Sequence, residues 1–208
     1  MLFSVRHLDA LGEQIRHVGH QVDGVVAADL VGQQVDMSVV RDRFLEHGFV
    51  DRRLLRRMVS SGKPNLNLAK DTEVVFADTH DSEWICDSLA AHFDLFSDRL
   101  PCLEEVEKAV ERRAILAVRK SGQMCGFLHF ESLPRSCLIK FLYVDERFRG
   151  RNFGSILLGA LFSSVDLDTR VRVWVGDENC RAIALYRRFG FEFDSLVDVV
   201  VVRGTENG

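Results

Sequence analysis

The chain has 208 residues, 47% of them apolar and 28% charged, with 27 Lys and Arg against 31 Asp and Glu and a formal net charge of −4. This balance describes a folded globular protein with its own core, and it excludes both the basic domain of a general nucleic-acid binder and the run of about 20 apolar residues that a membrane helix needs. Five scattered cysteines with no C-x-x-C pair exclude a disulfide framework and a zinc module, and together with a start unlike a signal peptide they lead us to expect a cytoplasmic protein.

In chain order, Val5, Leu8, Leu11, Ile15 and Val18 recur at spacings of three and four, which predicts an amphipathic helix within residues 5–31. Residues 38–58 are expected to be helical too, broken near Gly48. Inside them Arg52, Arg53, Arg56 and Arg57 surround Leu54 and Leu55 at helical spacing, as a solvated face or a docking patch for an anionic partner. His7, His17 and His20 lack a third ligand type nearby, so no metal site is expected. "SSGKPNLN" at 60–67 has the composition of a turn or linker. Residues 1–65 are thus expected to form a helical extension, and residues 71–208 a separate domain.

Beyond that boundary "EVVFAD" at 73–78 reads as a strand, and Thr79 or Asp81 is placed to cap a helix through "SEWICDSLAAHF". The loop "DLFSDRL" leads to a second helix with Pro101 in its first turn and Glu104 and Glu105 at its positive end. Three strands follow at 114–120, 125–133 and 137–144, the first two joined by the turn "KSGQ". A helix over 152–164, a strand "VRVWVG" at 171–176, a helix over 179–189 and a final strand "VDVVVV" complete the order β-α-α-β-β-β-α-β-α-β. That order predicts an α/β (α+β) fold with a mixed sheet covered by helices on both faces. Trp84 and Trp174 are expected in the core.

The stretch "FRGRNFGSILLGALF" at 148–162 concentrates arginine and glycine where a helix begins. The first N–H groups of a helix lack internal partners, and its dipole adds about half a positive charge there. Gly150 and Gly154 keep Cβ atoms away from an approaching phosphate, while Arg149 and Arg151 supply cations. Alone, such a loop also reads as a plain turn with solvated arginines.

A second stretch, "ENCRAIALYRRFGFEF" at 178–193, sets Ala182, Leu185, Tyr186 and Phe189 on one stripe and ends at Gly190, a residue suited to a left-handed cap. Tyr186 is either a core tyrosine or one whose hydroxyl faces a cleft. "FLEHGFVD" at 44–51 echoes "YRRFGFEFD" at 186–194, although so few residues do not establish a repeat.

Together, "VDERFRGRNFG" at 144–154 and Asn179, Ala182, Leu185, Tyr186, Gly190 and Phe191 closely resemble the two signatures of the GNAT superfamily of acetyl-CoA-dependent N-acetyltransferases, in order and separation. The resemblance covers about residues 71–208. It departs from the family at Asn152, where the family usually has its central glycine; asparagine is among the few residues that tolerate positive φ.

The resemblance implies a mostly antiparallel GNAT-type sheet flanked by helices, and a donor site for acetyl-CoA as co-substrate, with no metal. Backbone N–H groups of Arg149, Gly150, Arg151, Asn152, Phe153 and Gly154, with Ser155, would hold the pyrophosphate. Leu142, Tyr143 and Val144 would carry the strand edge that pairs with the pantetheine arm. Asn179 would contact that arm or cap its own helix, and Tyr186 would protonate the departing thiolate. An amine attacks the thioester directly, a backbone donor stabilises the developing oxyanion, and the cysteines are dispensable.

The strand glutamate that many relatives use as base is missing, since residues 138–142 read Leu, Ile, Lys, Phe, Leu. His129 and Glu131, alternating onto one face of the preceding strand, are the candidates, beside a water chain, a structural role for both, or an acceptor entering as free amine. Phe93, Phe96, Asp94 and Asp98 lie where the family shapes its acceptor pocket; core packing and turn capping explain them equally. The expected activity is N-acetyl transfer to a small-molecule or peptide amine, without nucleic acid or membrane, in a monomer or homodimer. A non-catalytic acetyl-CoA sensor and an acyltransferase fed by acyl carrier protein are the alternatives.

Overall fold

The computed structural model describes Ile15 and residues 24–61, 73–166 and 168–204. Along the chain these form β1 (Val26–Gln33), α1 (Gln34–Glu46), β2 (Val50–Ser61), β3 (Glu73–Phe76), α2 (Ser82–His92), α3 (Leu103–Glu111), β4 (Ile115–Lys120), β5 (Gln123–Leu133), β6 (Ser136–Val144), α4 (Phe153–Ser164), β7 (Arg170–Gly176), α5 (Cys180–Arg188) and β8 (Glu192–Arg203). From β3 onward the order is the one expected from the sequence. The chain divides into two compact units, Met1–Arg57 with Asp194–Gly208, and Met58–Phe193.

In the first unit β1 pairs antiparallel with β8, from Val26 opposite Arg203 to Gln33 opposite Leu196. Leu30, Phe49, Val201 and Ile15 form its core. The expectation of a helical extension over 1–65 is corrected here: the described part holds two strands and one helix, and Arg52, Arg53, Arg56 and Arg57 lie on a strand. Arginine doublets four residues apart around one leucine doublet suit a helix locally, but an extended strand also carries them once a neighbour supplies its hydrogen bonds. Arg57 pairs with Asp194 at 2.6 Å. The helix expected within 5–31 falls largely outside the described residues, as do the three histidines at 7, 17 and 20; its last part is β1. The unit boundary also differs from one near residue 65, since β2 and β8 each contribute residues to both units.

In the second unit the strands lie in the order β7-β6-β5-β4-β3. β6 and β7 are parallel, and the other pairs are antiparallel. β4 and β5 are joined by Ser121 and Gly122 alone, with φ of 52° and 79°, the paired left-handed turn that matches the strand twist of a hairpin. Two caps differ from expectation. Asp78, rather than Thr79 or Asp81, accepts the His80 N–H at 2.9 Å before α2, while Asp81 forms two hydrogen bonds with Arg119 at 2.7 and 2.6 Å. Pro101 precedes the cap of α3, where Glu105 accepts the Cys102 N–H at 2.9 Å.

Helices cover the sheet of this unit on both faces. Ile85 and Leu89 of α2 and Val106 and Val110 of α3 pack with Ile115, Phe127, Phe141 and Tyr143. On the opposite face Leu157, Leu158 and Leu161 of α4 and Ile183 and Tyr186 of α5 pack with Leu116, Leu128, Ile139, Val171 and Val173. Trp84 belongs to the first of these cores, with its ring centroid 6.1 Å from that of Phe127.

One residue decides which side chains of β6 face which layer. Phe141 stands opposite His129 and Ile139 opposite Phe130, so Lys140 is an extra residue in the ladder with β5. Side chains alternate along a strand, and one extra residue absorbed in a bulge changes which of the odd- and even-numbered residues beyond it share a face with those before it. Cys137 and Ile139 therefore face α4, and past the bulge Leu142 and Val144 take that face while Phe141 and Tyr143 turn toward α2.

Candidate functional site

The parallel ladder between β6 and β7 runs from Ser136 opposite Arg170 to Ile139 opposite Val173 and ends there. It stops where Lys140 bulges, and beyond it no residues of the two strands are paired. Among the described residues the β7-side edge of β6 from Lys140 to Val144 has no strand against it. Backbone N–H and C=O groups are obligatory hydrogen-bonding groups, so such an opening within a covered sheet invites a partner, although the Val144 carbonyl already accepts from Arg149.

β6 leads into the loop before α4. Asp145 begins a short 3-10 turn over Glu146–Phe148 and accepts from the Arg147 N–H at 3.0 Å. Gly150 has φ +80°, with open space where a Cβ would stand. Asn152 takes φ 62° and ψ 11°, so it serves in the left-handed place where glycine is usual. The first helical hydrogen bond runs from Ile156 N–H to the Asn152 carbonyl at 3.0 Å. Among the described residues no backbone acceptor meets the N–H groups of Gly150 to Ser155. Gly154 has a different purpose: a Cβ there would stand 3.1 Å from Leu185 Cδ2 and 3.8 Å from Leu142 Cδ2. Its bare backbone lets the first turn of α4 approach both α5 and the end of β6.

The loop arginines are not equivalent. Arg147 donates from Nε and Nη2 to Asp145 at 2.9 and 2.8 Å, which holds the Asp145 carboxyl below its ordinary range and raises the guanidinium further. Arg149, expected to be a mobile cation, donates to the Val144 carbonyl at 3.1 Å and to Glu146 at 2.7 Å. Arg151 is exposed over the Phe148 ring, 5.7 Å from its centroid.

Asn179 caps α5: its Oδ1 accepts the Ala182 N–H at 3.1 Å, which realises one of the two roles open to it. At the other end Gly190, at φ +75°, donates to the Arg187 carbonyl at 3.0 Å, and the Phe191 N–H reaches the Tyr186 carbonyl at 3.2 Å. This paired closure is the left-handed cap anticipated at Gly190. It also draws the Phe191 ring to 5.4 Å from that of Tyr186. Tyr186 is 5% exposed, and burial pushes its phenol well above the ordinary range.

The first unit contains the same closure. At the end of α1, Gly48 with φ +81° donates to the Leu45 carbonyl at 3.1 Å and Phe49 to the Phe44 carbonyl at 3.2 Å, with the Phe44 and Phe49 rings 5.1 Å apart. The echo between "FLEHGFVD" and "YRRFGFEFD" is thus a shared local structure, with Phe44 in the place of Tyr186.

Leu142, Val144, Gly154 and Leu185 are therefore brought together, with Tyr186 in the same core. The Tyr143 side chain is not: it packs on Trp84 and stacks with His92 at 4.9 Å on the opposite face. His129 lies on that opposite face as well, its ring 5.9 Å from Phe141. Its Nδ1 is buried without a hydrogen-bond partner, and burial, aided by Lys140, lowers its pKa to about 4. Glu131, two residues on, is exposed. Phe93 packs edge-on against Phe141 at 5.2 Å, and Asp94 accepts the N–H groups of Phe96 and Ser97 at 3.0 and 2.9 Å, so these loop residues serve the core and the turn. Sequence reading missed the Lys140 bulge, whose trace in the sequence is a lysine inside an otherwise apolar strand.

Among the described residues no helix is long and apolar enough to cross a membrane, and no group of three or more His, Cys, Asp or Glu is placed to hold a metal ion.

Comparison with known proteins gives a consistent result. The profile of the acetyltransferase (GNAT) family matches residues 76–191. A spermine/spermidine N(1)-acetyltransferase of Bacillus subtilis is 28% identical over 109 residues, which is 47% of this chain and 70% of that protein. Among solved structures, a GCN5-related N-acetyltransferase of Sphaerobacter thermophilus superposes with a TM-score of 0.65 at 16% identity over 92% of this chain and 64% of that one. The PaiA N-acetyltransferase of Thermoplasma acidophilum, solved in complex with coenzyme A, superposes with a TM-score of 0.50 at 13% identity over 65% of this chain and all of that one. At such identities the structural likeness is one of fold.

Proposed function

The chain belongs to the GNAT acetyltransferase family, and from that membership we propose that it transfers an acetyl group from acetyl-CoA to a primary amine by direct attack, without a covalent enzyme intermediate. The observation that carries the reading is the open edge of β6 from Lys140 to Val144, which begins where the ladder with β7 ends and leads into the unpartnered N–H groups before α4.

The residues fit the co-substrate. The N–H groups of Gly150 to Ser155 and the α4 dipole receive the pyrophosphate, with free space at Gly150 and no Cβ at Gly154. Asn152 adopts the left-handed geometry without a glycine, which removes one ground for a sensor that binds but does not react. Leu142, Tyr143 and Val144 offer backbone groups to the amide-bearing pantetheine arm, and a strand N–H polarises the thioester carbonyl. The amide NH2 of Asn179 keeps its donors while Oδ1 caps α5.

Tyr186 donates to the departing sulfur. Its raised phenol stays protonated across the physiological range, whereas a thiol has a parent pKa of about 8.5, so complete proton transfer is uphill and the phenol acts as hydrogen-bond donor to the thiolate. His129, neutral above a pKa of about 4, is too weak a base for an ammonium. The amine therefore enters neutral, and the proton it loses leaves to water.

Calorimetric titration with coenzyme A, followed by free-thiol release with acetyl-CoA and a panel of amines, tests this reading. The panel contains spermidine and spermine, after the activity named for the Bacillus relative, with peptide N-termini and amino sugars. Binding with amine-dependent thiol release is the expected result. Binding without turnover on any amine would instead identify a sensor.

A further inference from the structure

Acetyl transfer to an amine releases one proton, and the side of the sheet from which the amine comes decides which group receives it. Tyr186 belongs to the layer of α4 and α5, on the side of β6 that Leu142 and Val144 take. Phe141 and Tyr143 of the same open edge turn to the side of α2 and α3. The titratable groups of that side are mostly committed. His129 is buried, with its pKa lowered to about 4. Burial raises the Tyr143 phenol, which therefore keeps its proton near neutral pH. Asp145 is held by Arg147 at 2.8 Å, and Glu105 accepts the Cys102 N–H at 2.9 Å. Asp94 and Asp98 accept turn N–H groups. Glu131 stands opposite Leu138, before the bulge and outside the open edge. His92 differs from all of these. It is the last residue of α2, exposed, with its ring stacked on that of Tyr143 at 4.9 Å and 27°. Among the described residues no hydrogen bond engages its imidazole.

We propose that His92 is the general base of the reaction, taking the proton of the acceptor amine through the water that its exposed ring meets. The assignment rests on the acetyl-transfer reading above. The amine approaches from the α2 side, across from the sulfur that Tyr186 serves. Its nitrogen forms the C–N bond with its lone pair while the carbonyl π pair moves to oxygen. The nitrogen then gives its proton to water, which passes one to a ring nitrogen of His92. The oxygen pair re-forms the carbonyl, the C–S bond breaks with its electrons on sulfur, and the imidazolium afterwards releases its proton to solvent. An imidazole suits this step because it changes charge between about pH 5 and 8. The C-terminal end of α2 favours the cation that forms, and so does Asp145, whose carboxyl is lowered in part by the charge of His92. The remaining charges around this pair are Glu146, Arg147 and Arg149 of the following loop, which act on Tyr143, and Asp87 earlier in α2.

The test compares the wild type with His92→Phe, which keeps a stacking ring without a proton acceptor, with His92→Gln and with His92→Ala, using thermal melts to verify folding. In the Phe and Gln variants kcat at saturating amine is expected to fall by about a hundredfold, the scale of a lost general base, with the calorimetric affinity for coenzyme A unchanged. The wild-type kcat should decline as the pH drops through the range of imidazole, and that limb should be absent from both variants, since protonation of the amine itself is common to all. Imidazole added to the buffer should restore part of the rate of His92→Ala and leave the wild type unaffected. Wild-type turnover in His92→Phe reduces the ring to packing and overturns the assignment; so does a slower variant that keeps the acid limb and is not rescued by imidazole. A wild type that binds coenzyme A but releases no thiol with any amine rejects the acetyl-transfer reading itself, and the role of His92 with it.

Discussion

Tyr186 and Phe191 are joined twice: the Phe191 N–H donates to the Tyr186 carbonyl at 3.2 Å, and their rings lie 5.4 Å apart. Neither link uses the tyrosine hydroxyl. Phe44 and Phe49 form the same pair in the first unit with no hydroxyl present. A phenyl ring is thus sufficient for the closure, and neither of the two links engages the oxygen of Tyr186. Tyr186→Phe is expected to change stability by less than about 1 kcal/mol and to leave coenzyme A binding intact. Turnover should fall by about a hundredfold or more, in the range of a lost hydrogen-bond donor to charge that develops in the transition state. Thermal melts, calorimetry and thiol-release assays on one preparation read all three quantities; an unchanged turnover would remove Tyr186 from the reaction.

Gly154 in the first turn of α4 and Gly190 after α5 should fail differently when given a methyl group. Gly190→Ala strains a backbone at φ +75° and is expected to cost about 1 kcal/mol or more of stability. Gly154→Ala meets Leu185 Cδ2 at 3.1 Å and pushes α4 from α5, so it should weaken coenzyme A binding by more than its effect on melting would suggest. Parallel melts and titrations of the two variants separate strain from displacement.

Deleting Lys140 removes the bulge but keeps Ile139 opposite Phe130 and Phe141 opposite His129, so Leu142, Val144, Phe141 and Tyr143 keep their faces while a regular β6 can continue its ladder with β7 past Ile139. Coenzyme A binding should weaken in this deletion because the open edge closes, whereas Lys140→Ala, which keeps the chain length, should bind as the wild type does. Undiminished binding in the deletion would show that the opening does not depend on the extra residue.

Burial lowers the His129 pKa from 6.5 to about 4. Between those values the unfolded chain binds a proton that the folded chain refuses, so stability rises with pH through this window. The contribution is complete above about pH 6.5 and is lost as pH falls toward 4, at most about 3 kcal/mol. His129→Phe should flatten the pH dependence of urea unfolding between these limits; an unchanged slope would place its origin elsewhere.

Direct attack needs no thiol from the protein. Cys102 and Cys180 are exposed, while burial pushes the Cys137 thiol up to about 11 and keeps it protonated. Replacing both exposed cysteines with serine should leave turnover within about twofold of the wild type, the usual tolerance of solvent-exposed positions. A steady-state comparison of amine acetylation checks this.

Much of the second unit was legible in the sequence because its signals are local. The spacing of Leu157 and Leu161, the glycines at 150 and 190, and the alternation of Val171, Val173 and Val175 each describe a few neighbouring residues, whose backbone preferences and periodicity are intrinsic to the chain. The motif around Asn152 and Tyr186 was readable for the same reason, since a left-handed turn and a helix cap are short-range structures. Other features were decided only by tertiary contacts. β2 is a strand although its Arg and Leu doublets also fit a helix, because hydrogen bonds to a neighbouring strand outweigh a propensity difference of a few tenths of a kcal/mol per residue. The bulge at Lys140 exists only against β5, and with it came the choice of which residues of β6 line the opening. Which arginine of the loop stays uncommitted depended on where Asp145 and Glu146 lie once the turn has formed. The amino-acid sequence determined the elements and the chemical groups; their pairing partners, set by contacts distant in the chain, determined which of those groups remain unsatisfied and available to a ligand.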